Sequence, residues 1–534
     1  MRTLRVPALV VASVIAAGCA RCGSKPPPLE RFVAAEAAAV LLVPGLGVLS
    51  AQSSDVLTTA TTFPGGRELL DARAVIAARL TFDPFDAASI ASTGLDPARG
   101  LTLSGVVGKG GEASPDVVLA LPVADAAKFD ASVTRLAKER IGVTERTMEA
   151  GSPAVVAWRS APGAPPVFAY AVTERTALVS FGPAAIDAIR AAAAVPPTGT
   201  IASRPEYQKT MKALGDGLAL QFYVPANSPA LKEVPQLKDG FAAGVRGGRD
   251  RIGVAGAMLL GAREAAVRAA VARAESTALL AKLDPGAAWV VRGDGDPGLA
   301  TDFQSLVDAM KKQGLPEPVI AILEDFVGSL GTGSAIGVGV VPPAPKGKVS
   351  LVGAPLAAIR AELLASLKDP GRMTSAIQRA ADLASAQAAG APKGARSKKL
   401  DLGRNPWRVP LPGGELAVAV ADGKLAIAAG PAGSLEALLA RTGSVFKGPT
   451  AAADKALHSG TGGMYIDVPR LATAARGFPE AAFGEGQQGV MVKSMVDQWS
   501  AAAERITAVS VSGDVVEGAA RGELLVEVTP TPRQ

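Results

Sequence analysis

Two stretches of one layout, Val172–Pro183 (VTERTALVSFGP) and Val420–Pro431 (VADGKLAIAAGP), constrain this chain more than any other feature. Each reads as the end of a strand, a polar turn and a short alternating strand, with Gly-Pro then opening an alanine-rich helix. They match without a gap at a displacement close to half of the 534 residues. Other landmarks recur in the same order. A strand closed by proline occurs at Leu218–Pro225 and at Gly463–Pro469, and an acid-Arg-Ile start at Asp250 and at Glu504. The expected fold class is therefore α+β, in two tandem similar units at 31–280 and 281–530. Strands joined by short turns and broken by single helices predict mainly antiparallel sheet, with helices packed on one face of each unit.

Within the first unit, spacing predicts helices over 66–80, 84–93, 124–141 and 204–214, the third with Phe129, Val133, Leu136 and Ile141 on one side. In the second unit helices are expected over 302–313, 319–330, 355–367 and 372–388. The segment Arg263–Lys282 is ambiguous: propensity favours one long helix, whereas its counterpart Arg521–Val528 is strand-like. A strand to Ala272 followed by a helix from Ser276 is the resulting expectation.

An apolar fraction of 48% supplies ample core, with aromatics at only 4%, so contacts are small and aliphatic. Beyond the N-terminus no apolar run approaches the roughly 20 residues that a membrane span needs. The net charge of +6 is concentrated. Arg2 and Arg5 carry part of it, and the Gly/Pro-broken linker 388–408 most of the rest, so the remaining chain is about neutral. Such a balance argues against nucleic acid, which needs cations spread over a face. The linker reads first as a solvated inserted loop; Lys393, Arg396, Lys398, Lys399 and Arg404 are its candidates for contact with an anionic lipid or polysaccharide surface, and an envelope protein is the other candidate partner.

The N-terminus has a basic start (Met1–Arg5) and an apolar run of signal-peptide length (Val6–Ala17), ending Ala16-Ala17-Gly18-Cys19. This resembles the lipobox of bacterial lipoproteins, with Ala16 where leucine is usual; an ordinary secretory signal cleaved nearby is the alternative. The resemblance implies a signal peptide over 1–18, a diacylglyceryl group on the Cys19 sulfur and an acylated new amine. Several acyl chains at one point hold a protein at a bilayer far better than one. Residues 19–30 then read as anchor and tether, with the stiff spacer Gly23–Pro28 (GSKPPP). Ala20 after the cysteine implies delivery to the outer membrane, facing the periplasm or the cell surface. The body, through its alanine-rich opening strand, Gly94-Leu95-Asp96-Pro97, the turn-strand-Gly-Pro-helix and Arg204-Pro205-Glu206-Tyr207, resembles a domain-of-unknown-function family of secreted bacterial proteins. That resemblance implies no catalytic residue here.

Catalytic constellations are hard to assemble from what remains. His458 is the single histidine, and no Gly-x-Ser-x-Gly elbow occurs. Asp294-Gly295-Asp296 lacks the third acid and downstream glutamate of a calcium loop. Glu324-Asp325 reads as a solvated helix face. Gln487–Arg505, with Val492, Met495, Val496 and Trp499, reads as core packing in preference to a partner or membrane helix. No catalytic, cofactor-binding or metal-ligating residue is expected. The expected role is a non-enzymatic, lipid-anchored envelope module, structural or for interaction; the alternative is a periplasmic carrier for a lipid or other apolar ligand.

Overall fold

The computed structural model describes residues 28–63, 66–106, 116–226, 228, 240–273, 275–294, 307–340, 354–387, 399–443, 446–458, 460–484 and 486–530. The chain divides into two units, one running to Leu259 and the other from Leu260 to Thr529. Strands of the first are β1 (Ala39–Val43), β2 (Leu101–Val106), β3 (Asp116–Pro122), β4 (Glu145–Glu149) and β5 (Val155–Arg159), then β6 (Pro166–Thr173), β7 (Thr176–Phe181), β8 (Leu220–Val224), β9 (Phe241–Gly247) and β10 (Arg251–Leu259). They pair antiparallel in the order β4-β5-β6-β7-β3-β2-β1-β8-β9-β10.

In the second unit the strands are β11 (Trp289–Asp294), β12 (Leu330–Val340), β13 (Ile359–Leu367), β14 (Trp407–Leu411) and β15 (Gly414–Ala421), then β16 (Lys424–Gly430), β17 (Gly462–Ile466), β18 (Ile506–Val516) and β19 (Ala519–Val528). Their antiparallel order is β14-β15-β16-β13-β12-β11-β17-β18-β19. From β5 to β10 the first unit has the same order, strand for strand, and β4 is its one addition among the described residues.

The paired stretches of sequence fold alike. Glu174-Arg175 joins β6 to β7 with φ of 50° and 59°, and Asp422-Gly423 joins β15 to β16 with φ of 50° and 69°. Two-residue hairpin turns that match the twist of the strands require positive φ at both positions. Glycine supplies that freely, whereas Glu174 and Arg175 each carry a steric cost of roughly 1–2 kcal/mol.

Helices of the first unit are α1 (Leu46–Ala60), α2 (Gly66–Leu80), α3 (Ala87–Ser92), α4 (Ala126–Leu136), α5 (Ala185–Ala194) and α6 (Pro205–Leu214). Strand side chains alternate between faces, and the core alternates with them. Val156, Tyr170 and Val179 pack with Phe129 of α4. Their neighbours Val155, Ala169 and Leu178 pack with Ala185 and Ile189 of α5. Helices thus cover both faces of the sheet, correcting the expectation of one. Asp125 starts α4 by accepting from the amides of Ala127 and Lys128.

The second unit repeats this with α7 (Glu264–Arg273), α8 (Glu275–Leu280), α9 (Glu317–Ser329), α10 (Pro370–Gln387), α11 (Ser434–Ala440), α12 (Ala451–His458), α13 (Val468–Gly477) and α14 (Gly486–Ala503). Leu364, Ala417 and Ala426 face Leu279, Leu435 and Leu457 of α8, α11 and α12. On the opposite face, Ala365, Val418 and Leu425 meet Met373 and Ile377 of α10.

Three further differences have physical causes. Residues 264–273 are helix, not strand, because Ala-rich propensity and the Arg268–Glu264 pair (2.8 Å) prevail. The strand expectation came from equating Arg251-Ile252 with Arg505-Ile506. In the strand order, Ile506 opens β18, whose counterpart is β9, while Arg251 opens β10, so that landmark was one strand out. Residues 359–367 are strand despite helical composition, since β13 sits between β12 and β16 and tertiary pairing overrides propensity. Finally, α7 and α8 belong to the second unit, where Leu279 and Leu280 enter its core, so the division falls before residue 280.

Candidate functional site

Cys19, Lys393, Arg396 and Lys398 lie outside the described residues. Lys399 is exposed, and Arg404 is exposed in a turn closed by the Asn405 amide on the Asp401 carbonyl at 2.6 Å. Arg408, at the end of the basic linker, is engaged: β14 carries it, and its guanidinium donates to Glu415 and Glu436. The hydrogen bond from Arg408, then one from the Gly433 amide, holds the Glu415 carboxyl below its usual range.

The acids singled out in the sequence are occupied by basic partners. Glu324 takes Lys311 at 3.1 Å. Asp325 takes Arg372 at 2.6 Å and also Arg379, and these hydrogen bonds hold its carboxyl low, in its charged form. A general acid/base pair needs one member poised to carry a proton, which this arrangement does not provide. His458 ends α12, and its Nε2–H donates to the Phe446 carbonyl at 2.8 Å, so the ring ties a loop to a helix terminus.

Two buried polar networks are also built on paired charges. Arg292 and Asp294 pair at 3.0 Å with side chains 2% and 1% exposed. Asp294 accepts the Ser276 amide at 3.0 Å, while Arg292 donates to the Ser276 hydroxyl at 2.9 Å. Glu362, on β13, receives both terminal nitrogens of Arg441 at 2.7 and 2.8 Å and the Asp284 amide at 2.8 Å. Each fastens a helix or loop to the sheet, as buried charges must be paired and hydrogen-bonded. Among the described residues no group of three or more His, Cys, Asp or Glu is placed to hold a metal ion.

What does face solvent is one side of α14. It is held to α13 from its inner side: Lys493 donates to the Arg476 carbonyl at 3.2 Å and to Asp497. Gly489 lies so close to the preceding turn that a Cβ there would stand 2.4 Å from the Gly484 carbonyl oxygen. On the outer side Val490, Met491, Met495 and Trp499 are 52%, 61%, 52% and 65% exposed. Gln487, Ser494 and Gln498 are exposed with them, and the charged residues of this helix, Lys493 and Asp497, pair with each other at its border, Asp497 with its side chain 45% exposed. Core packing therefore holds for half-buried Val492 and Val496, and fails for Met495 and Trp499. No helix among the described residues is long and apolar enough to cross a membrane.

Comparison with known proteins adds little to this geometry. No family model and no curated protein matches the chain. Among solved structures, crystal forms III and I of TP0453 are similar to it, at TM-scores of 0.24 and 0.25 and identities of 9% and 10%. Each alignment covers 45% of this chain, with 81% and 80% of the TP0453 chain. A likeness at that TM-score does not extend to function. Sequence alone names Met495 and Trp499 but assigns them to the core, and misses Met491; the signal passed over is that these three recur every four residues, which places them on one side of a helix. That spacing says nothing about which side meets the core.

Proposed function

We propose that this protein is a lipid-anchored module of the cell envelope, held through Cys19, that works by binding a partner and not by making or breaking bonds. The exposed cluster of Val490, Met491, Met495 and Trp499 on α14 carries this reading. Exposed Trp and Met clustered without charge are the composition of interface cores. The basic linker, with Lys393, Arg396, Lys398, Lys399 and Arg404, supplies cations for an anionic lipid or polysaccharide at the same membrane.

The test has two arms. Cys19→Ala is expected to move the protein from the membrane fraction to the soluble one. A photo-crosslinker replacing Met495 in intact cells is expected to give a discrete protein adduct, while the same group replacing exposed Lys138 gives none. A membrane-bound Cys19→Ala protein overturns the anchor, and the absence of an adduct at 495 overturns the interface.

A second reading, a carrier for a lipid or other apolar ligand, is favoured by a half-open cleft of about 620 Å³ in the first unit. Mass spectrometry of lipid extracted from the Cys19→Ala protein tests it. Stoichiometric lipid is expected, and none would exclude it.

A further inference from the structure

One helix of the first unit is left largely uncovered. Eleven of the fifteen residues of α2 are exposed, and Gly66 is its one buried residue. A lone helix of that length is marginal in water, so packing must supply what propensity does not. Arg73 gives it one fastening: its Nη2 donates to Asp83 at 2.6 Å, and its guanidinium lies over the Phe85 ring, 5.8 Å from the centroid. Beyond that, α2 touches α1 and leaves most of its surface open.

The second unit covers the corresponding place. Between β11 and β12, the counterparts of β1 and β2, lies α9, none of whose residues from 319 to 329 is exposed. There Asp325 takes Arg372 and Arg379 from α10, and Ile320 is 2% exposed.

The open surface of α2 has a pattern. Arg73, Ala77 and Leu80 are half-buried and mark its inner side. Round the helix from them, Glu68, Leu69, Ala72, Val75, Ile76 and Arg79 recur at intervals of three and four and share one exposed face. Leu69, Val75 and Ile76 are 48%, 53% and 40% exposed. Glu68 and Arg79 close the two ends of this apolar strip. They stand roughly 16 Å apart along the axis, too far to pair with each other, and no other described residue engages either.

A strip with an acid at one end and a base at the other is complementary to its own reversed copy. We propose that α2 pairs antiparallel with α2 of a second copy of this chain, about a two-fold axis at its middle. A two-fold contact brings residue i to j and j to i, so Glu68 meets Arg79 of the second copy at both ends. The same register sets Ala72 against Val75 of the second copy, and the small side chain lets the helices approach. On the order of 500 Å² is covered per copy, against roughly 800 Å² in a standard interface, so the contact is weak and transient. Copies held at one membrane meet at a raised effective concentration, where a weak contact counts.

Sedimentation velocity of the full chain carrying Cys19→Ala, in reducing buffer, tests the pairing. Monomer at about 10 µM is expected to pass increasingly into dimer by about 500 µM, as suits an interface of that size. Val75→Asp, at an exposed position, should keep the circular dichroism of the parent and associate about tenfold more weakly. Glu68→Arg and Arg79→Glu, made singly, each set like charges opposite one another twice, and each should weaken self-association about tenfold. Mixing those two single variants restores both pairs, so the mixture should dimerise as the parent does. A parent that stays monomeric at the highest concentration, single variants that associate as the parent does, or a mixture no stronger than its components overturns the pairing. A photo-crosslinker replacing Val75 in cells identifies the occupant. An adduct of twice the chain mass, joined at α2, is expected; another protein, a lipid or another part of the same chain joined there overturns the second copy. No readout here involves α14, so loss of the Met495 adduct leaves this pairing standing, and loss of this pairing leaves α14 its partner.

Discussion

Replacing Asp294 with alanine is expected to destabilise the second unit by about 3–5 kcal/mol, the range for breaking a buried ion pair from one side. Arg292, 3% exposed, would lose the carboxylate that faces it at 3.0 Å. Desolvation already lowers its pKa, and the charge of Asp294 is what opposes that effect. The Ser276 amide loses its acceptor in the same stroke, so α8 keeps only one of the two hydrogen bonds by which Ser276 ties it to β11. A whole domain is stable by only roughly 5–15 kcal/mol, so the loss is visible in any denaturant curve. The paired change Arg292→Met with Asp294→Leu should recover most of it, because apolar residues of similar volume replace buried ion pairs at little cost. Hydrogen exchange locates the effect: amides of α8, β11 and β12 are expected to lose protection while those of β5 to β7 keep it. Unchanged protection in Asp294→Ala would show that the pair contributes nothing to holding the unit together.

Legibility from sequence followed the range of the interaction that decides each element. The hairpins at Glu174-Arg175 and Asp422-Gly423 were readable, since alternation and turn chemistry are local. So was α2, whose limits of 66 and 80 coincide with the expected ones. The misreadings are non-local. Ile359–Leu367 has a helix-forming composition and becomes a strand because two neighbours are there to pair with it. Helices on both faces escaped notice because α4 and α5 look equally amphipathic, and only the register of β5, β6 and β7 assigns their sides. The same holds for function. Met495 and Trp499 read with Val492 and Val496 as core, because exposure depends on what packs against the other side.

Alkaline unfolding is the second large expected effect, and it should strike the two units unequally. The chain has four tyrosines, and Tyr170, Tyr207, Tyr223 and Tyr465 are all buried, at 2%, 7%, 1% and 2% exposure. Burial pushes Tyr223 and Tyr465 up to about 12. Burial again, with Asp130 beside Tyr170 and Glu30 beside Tyr207, raises the other two. An acid whose folded pKa is raised keeps its proton in the native state, so its contribution is whole below the unfolded value of about 10. That contribution drains away as pH climbs from about 10 towards 12, because the unfolded chain then binds fewer protons. Each tyrosine can subtract up to about 1.4 kcal/mol per pH unit in that window. Three of them lie in the first unit and one, on β17, in the second. Between pH 10 and 12 tyrosinate absorbance should therefore rise together with loss of circular dichroism, and protection in β6, α6 and β8 should vanish before that in β17. Tyr223→Phe, which removes one titrating group, should move the first unit's midpoint to higher pH. Independent tyrosinate formation near pH 10 in a chain that stays folded would mean that these hydroxyls are open to solvent.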